Sequence, residues 1–180
     1  MGQPGFNGSV INMSFGMRYK LPAEHDLMRL AVKKAYEAGI VMVAAGGNDY
    51  GPLGDAGYLM YPATSPKVIT VAASVGTYQW YRGSNYGSKI DMIAPGSCES
   101  YWKDGETRTV TGTSQAAPLV AGTVALFMGH EGPMNMTIAL KRLMANADIN
   151  VVRGVPDGTN NAQVNSGIHK GVPYIGAPFP

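Results

Sequence analysis

The chain is predicted to be an α/β protein built on a parallel sheet, and three features of its 180 residues predict this. Short apolar runs alternate with stretches of helical spacing, the rhythm of strand–crossover–strand units. Residues 40–45 and 68–73 are apolar and rich in β-branched side chains with no polar alternation, as strands covered on both faces are. Residues 114–128 are apolar nearly all round a helical wheel, which predicts a central helix buried against that sheet.

Each element follows from local chemistry. Residues 10–15 form a short strand ended by Gly16. Residues 24–38 form a helix: Leu27, Leu30, Ala31, Lys34 and Ala35 recur at 3–4 spacing, with Lys33 and Glu37 on the wetter side. Gly39 stops it. The strands over 40–45 and 68–73 are followed by another short one over 89–94. The helix from Ser114 tolerates Pro118, on the expectation that the first turn has no N–H bond to lose. Gly129 and Gly132-Pro133 end it. Residues 137–147 form a more exposed helix, apolar at Ile138, Leu140, Leu143 and Met144 and polar at Lys141 and Arg142. From Val151 onward Gly154, Pro156 and Gly158 break any regular pattern, so 151–180 reads as an irregular C-terminal segment.

Composition narrows the function. Charged residues make up 14 %, with 24 glycines and 12 prolines, a loop-rich globular make-up. A formal charge of +2 with no basic stripe argues against nucleic acid and against an anionic membrane surface. No run of 18 apolar residues predicts a membrane span, and the first 20 residues hold no apolar signal core. One cysteine, Cys98, excludes an intrachain disulfide, and its acidic neighbour Glu99 argues against a catalytic thiol.

Two segments carry chemistry. In Gly112-Thr113-Ser114-Gln115-Ala116-Ala117-Pro118-Leu119-Val120-Ala121-Gly122 a serine stands among small residues at the mouth of an apolar helix. Small neighbours admit a substrate backbone. The helix N-terminus aims free N–H groups and a positive dipole end at the hydroxyl, which suits a nucleophile that must carry developing negative charge. The bland alternative is a helix cap in a small-residue packing site. The second segment is the turn Gly46-Gly47-Asn48-Asp49 after the strand over 40–45, where glycines let the backbone swing sharply and Asn48 offers a side-chain N–H. It lacks the spacing of a dinucleotide or phosphate loop.

Together these segments resemble the subtilisin-like serine proteases, the subtilases. The block from Gly112 to Gly122 is similar to that family's nucleophile signature, and Ala44-Ala45-Gly46-Gly47-Asn48 to its oxyanion asparagine segment. Val10-Ile11-Asn12-Met13-Ser14-Phe15-Gly16 resembles the substrate-lining strand. Tyr61-Pro62-Ala63-Thr64-Ser65-Pro66 and Asp91-Met92-Ile93-Ala94-Pro95-Gly96 match further blocks in the family's order. The resemblance spans roughly residues 9 to 146. It implies that the fold is the C-terminal portion of a doubly wound, subtilisin-like α/β sheet, with 1–150 as a partial peptidase domain. It also implies catalytic roles for Ser114 and Asn48, and substrate-binding roles for Ser14, Phe15, Gly16, Ala45, Gly46 and Gly47. The partner is a peptide or protein substrate, and the setting is extracellular or vacuolar. No cofactor is required; the family often binds structural calcium, but no acidic cluster among Asp49, Asp55, Asp91 and Asp148 places it.

The chain departs from the family in one respect. The aspartate and histidine that precede the serine, in Asp-Thr-Gly-like and His-Gly-Thr-like segments, have no match here. The three histidines are His25, His130 and His169, all in different surroundings; His130 lies about 24 Å from Ser114 along an ideal helix. Gln115 and Leu119, where many members carry methionine and histidine, donate no proton in the family mechanism. The expected function is therefore a serine endopeptidase portion with nucleophile and oxyanion asparagine, inactive alone, whose N-terminal half is its missing partner. Cutting such a sheet leaves a bare strand edge and an apolar helix face. The alternative is a non-catalytic pseudoenzyme or peptide-binding subunit. An esterase order of Ser114, Asp148 or Asp157, and His169 is arithmetically available, but Ala116 stands where that elbow needs glycine and 108–111 makes a poor buried strand.

Overall fold

A computed structural model describes residues 8–19, 27–54, 59–160 and 162–164. In chain order the elements are β1 (Val10–Met13), β2 (Met17–Tyr19), α1 (Leu27–Glu37), β3 (Val41–Ala45), β4 (Leu59–Tyr61), β5 (Ile69–Val75), β6 (Gln79–Trp80), β7 (Met92–Pro95), β8 (Ser97–Tyr101), β9 (Thr107–Thr111), α2 (Thr113–Glu131), α3 (Met136–Ala145), β10 (Ala147–Ile149) and β11 (Ala162–Val164).

The main sheet runs β1-β3-β5-β7-β11-β10, with β6 paired to β5 off this path. Strands β1, β3, β5, β7 and β11 are parallel; β10 is an antiparallel edge. Successive side chains of a strand point to opposite faces, so a doubly covered strand has two apolar sets. Along β3, Val41, Val43 and Ala45 join Ile69, Val71 and Ala73 of β5 and Met92 and Ala94 of β7 in one core. That core is closed by Ala116, Ala117, Val120, Val124 and Met128 of α2. The intervening Met42 and Ala44 pack on the other face with Val32 of α1. The alternation puts helices on both faces and is the doubly wound arrangement.

Elements too short or too polar for their sequence to announce are the ones the structure adds. β2 and β4 make a small antiparallel ribbon, and β8 and β9 a second one. The 107–111 strand is nearly all exposed, which is why its residues carry no buried-strand pattern. After residue 150 the chain is not wholly irregular: β11 enters the sheet between β7 and β10, Ala162 is fully buried and Val152 nearly so. A three-residue strand beyond glycine-rich loops carries too little periodicity to be seen.

Two further expectations shift. The first strand ends at Met13, so Ser14, Phe15 and Gly16 lie between β1 and β2 rather than on a strand edge. Helix α2 is buried on one face only, with Pro118, Gly122 and Leu126 exposed, because the sheet covers a single side of it. At the β1 edge Ile11 and Asn12 are exposed as well.

One half-buried carboxylate makes stability depend on pH. Asp91 precedes β7, and its Oδ2 accepts the Thr70 N–H at 2.8 Å. Burial pushes its pKa up to about 6, against the opposing pull of that hydrogen bond and of Lys89. The native pKa lies above the unfolded one, so this group's stabilising contribution is fully present below about pH 4. It is lost as pH rises through about 6. The gap between the native and unfolded values bounds the effect at about 3 kcal/mol. Asp91→Asn keeps an acceptor for Thr70 and removes the titration. Thermal unfolding in chelator-containing buffer should show a gain of about 1–3 kcal/mol at pH 7.5 over the parent and a flattened profile from pH 4 to 7.

Candidate active site

Ser114 and Asn48 come from separate elements that the sheet brings together. Asn48 sits in the turn that leaves the C-terminal end of β3, and Ser114 is the second residue of α2. Helix α2 crosses β3 and β5, so its N-terminus arrives beside the turn after β3.

The contact is specific. Gly112, the residue capping α2, has no side chain with which to accept an N–H of the first turn. Asn48 supplies the acceptor from across the site: its Oδ1 takes the Thr113 N–H at 2.9 Å and the Thr113 hydroxyl at 3.2 Å. The Thr113 Oγ1 in turn accepts the Gly47 N–H at 3.0 Å. A carboxamide has one oxygen and one NH2 group. With the oxygen fixed on two Thr113 donors, the Nδ2 of the exposed Asn48 is the group left for anything docking at the helix mouth. A Cβ on Gly112 would lie 3.2 Å from both terminal atoms of Asn48 and would press on the amide.

Ser114 is half-buried, and two reciprocal bonds tie it to the exit of β1. Its hydroxyl donates to the Ser14 carbonyl at 3.2 Å, and the Ser14 hydroxyl donates to the Ser114 carbonyl at 2.8 Å. The second bond explains how α2 accommodates Pro118. Contrary to expectation the proline is not in the first turn; with α2 starting at Thr113, its missing N–H is the one that would have bonded to the Ser114 carbonyl. The Ser14 hydroxyl takes that place. Asn12 Nδ2 donates to Ser14 Oγ at 3.0 Å and fixes its rotamer. As a first-turn residue Ser114 also has an N–H without an intrahelical acceptor.

The remaining residues expected at the site divide. Phe15 and Gly16 are exposed beside Ser14, and a Cβ on Gly16 would crowd Met60 and the Tyr61 carbonyl at 3.2 Å. Ala45 and Gly46 are buried, so they form the wall behind the turn; of the three residues 45–47 only Gly47 reaches the surface. Gly47 has φ 99° and its Cα faces Asn85, which leaves no room for a side chain. Asp148 is half-buried on the edge strand β10, Asp157 is exposed, and His130 is exposed in the last turn of α2, opposite Ser114. His25 and His169 lie outside the described residues. Among the described residues no three His, Cys, Asp or Glu side chains gather to hold a metal ion. No helix among them is long and apolar enough to cross a membrane.

Two residues that matter to this geometry carry no obvious sequence signal. Thr113 reads only as a cap beside the serine. Asn85, in Ser84-Asn85-Tyr86-Gly87, lies outside every segment singled out from the sequence, yet it is fully buried and bonded to the Asn48 turn.

Comparisons with known proteins agree on one relationship. Residues 6–168 match the profile described as the Subtilase family. The chain is 36 % identical over 156 residues to the subtilisin-like serine protease AsES of Sarocladium strictum, covering 86 % of this chain and 38 % of that protein. It is 33 % identical over 156 residues to a cuticle-degrading protease of Metarhizium anisopliae, with the same coverage. Its structure superposes on that of a cold-adapted subtilisin-like serine proteinase with TM-score 0.75 at 31 % identity, over 87 % of this chain and 54 % of the other. The chain thus spans well under half the length of these two curated relatives.

Proposed function

The chain belongs to the subtilase family, and from that premise we propose that it forms the nucleophile and oxyanion part of a serine endopeptidase. The observation that carries the reading is the bond from Thr113 N–H to Asn48 Oδ1, which leaves a side-chain N–H donor beside the residue that follows Thr113.

In this reading the Ser114 hydroxyl attacks the carbonyl of an extended peptide lying against Ser14, Phe15 and Gly16, with Gly47 bordering the preceding residue's pocket and Ala45 and Gly46 behind it. The tetrahedral oxygen accepts from Asn48 Nδ2 and from the Ser114 N–H. The hydroxyl must give up its proton to a base. The family's histidine and aspartate segments have no match among the 180 residues, so the base and its orienting carboxylate are supplied by polypeptide outside them. The exposed β1 edge and the exposed side of α2 give such polypeptide a strand to extend and an apolar face to cover. Extracellular or vacuolar action belongs to the same reading.

A fluorogenic peptide assay combined with a serine-directed phosphonate probe tests it. The 180-residue chain alone should neither cleave peptide nor take up the probe at an appreciable rate, whereas the complete protein should do both, with the label on Ser114. Rapid labelling of Ser114 in the chain alone would show that a base is already present. The missing histidine pattern also favours a second reading, a peptide-binding pseudoenzyme. A complete protein that binds extended peptides but neither cleaves them nor labels would establish that reading.

A further inference from the structure

Asn48 is exposed on a turn, yet an oxyanion donor must be held to a fraction of an ångström. Thr113 fixes the tip of its side chain. What fixes its backbone is a second asparagine. The Asn85 side chain, 0 % exposed, grips the chain on both sides of Asn48. Its Nδ2 donates to the Gly46 carbonyl at 2.8 Å, and its Oδ1 accepts the Asp49 N–H at 3.0 Å and the Gly51 N–H at 2.8 Å. Its own N–H donates to the Gly47 carbonyl at 2.9 Å. Neighbouring backbone continues the grip: the Tyr50 N–H donates to the Gly83 carbonyl, the Tyr86 N–H to that of Gly51, and the Leu53 N–H to that of Tyr86. Gly47 lacks a Cβ because the Asn85 amide occupies its place, 2.3 Å from where that atom would sit.

We propose that Asn85 is a positioning residue of the hydrolytic site, holding the turn so that Asn48 presents its Nδ2 to the developing oxyanion. The proposal rests on the endopeptidase reading and deepens it. Asn85 touches neither substrate nor nucleophile. β5 holds the start of the turn through the Gly46 N–H and α2 holds it through Thr113, while Asn85 satisfies the Gly46 and Gly47 carbonyls and the Asp49 and Gly51 N–H groups, and thereby converts a glycine turn into a rigid mount.

The test is a double-substitution cycle in the complete protease, measuring kcat and KM separately. Asn48→Ala should lower kcat by about 10²- to 10³-fold, a donor-deletion loss measured on a subtilisin and so a family value. Asn85→Ala should lower kcat by roughly 10- to 100-fold with KM within about 3-fold, and in the Asn48→Ala background it should cost less than about 3-fold more, as coupled residues do. Asn85→Asp keeps both accepted bonds but, when ionised, loses the donor to the Gly46 carbonyl, so it should lower kcat by about 3- to 10-fold; if Asn85→Ala does not fold, the cycle is run with Asn85→Asp, whose loss should shrink below about 2-fold in the Asn48→Ala background. Losses that multiply, or an Asn85→Ala protease within about 3-fold of the parent in kcat, would overturn the proposal while leaving the endopeptidase reading intact. An Asn48→Ala protease with undiminished kcat would overturn the oxyanion role and the mount together.

Discussion

On the proposed endopeptidase reading, Ser114→Ala in the complete protein should abolish hydrolysis, lowering kcat by about 10⁶-fold while KM moves by a few-fold; loss of the catalytic serine has that magnitude in a subtilisin, so the figure is a family value. The substitution is structurally mild. Alanine suits the first turn of α2, where Ser114 is the second residue, and the lost bond to the Ser14 carbonyl, part-buried, is worth about 1 kcal/mol. The Ser14 hydroxyl still donates to the backbone carbonyl of residue 114, so the α2 N-terminus keeps its position opposite Pro118. Asn48 and the helix N–H groups remain as well, so a residual rate of about 10³- to 10⁴-fold over water should survive. Phosphonate labelling should vanish altogether. A variant that retains parental kcat, or that still labels, would place the nucleophile elsewhere, with Ser14, whose hydroxyl bonds the carbonyl of residue 114, the first to examine.

The parts of this molecule legible in the sequence are those where many residues say the same thing. The strands β3, β5 and β7 announce themselves because both faces are covered and all their positions but Thr70 and Ser74 are apolar. The helix at Ser114 does so because its apolar residues recur over nineteen positions. Short or one-residue devices do not. β11 contributes three residues to the sheet. The Ser14 hydroxyl that replaces the missing proline N–H acts across 100 residues. Asn85 belongs to the same class: a buried amide that serves another segment's backbone has no local pattern at all. What would have revealed it is the converse question, where the N–H groups of a Gly-Gly-Asn-Asp turn find their acceptors. The overestimate of burial on α2 has a similar origin. Hydropathy reports what a helix could cover, and the sheet covers only its Ala116, Val120 and Val124 side.

The second large effect belongs to Asn48, and there the choice of replacement separates two roles that the structure superposes. Its Oδ1 caps α2 through Thr113, and its Nδ2 is the donor assigned to the oxyanion. Asn48→Ala removes both, and the cap loss alone is worth about 1 kcal/mol of stability. Asn48→Asp keeps the cap, since either carboxylate oxygen accepts from Thr113, and an anion at a helix N-terminus is favourable. It also replaces the donor by a negative charge facing the developing oxyanion. If catalysis needs the donor, Asn48→Asp should fold at least as stably as the parent. It should nevertheless lose kcat by more than the 10²- to 10³-fold of Asn48→Ala, with KM little changed. If Asn48 serves only as a cap, the order reverses: the aspartate variant should match the parent in kcat, and the alanine variant should suffer through stability alone. Paired measurements of thermal midpoint and kcat on the two variants decide between these, because the aspartate substitution keeps the capping oxygen and removes the amide N–H two bonds away.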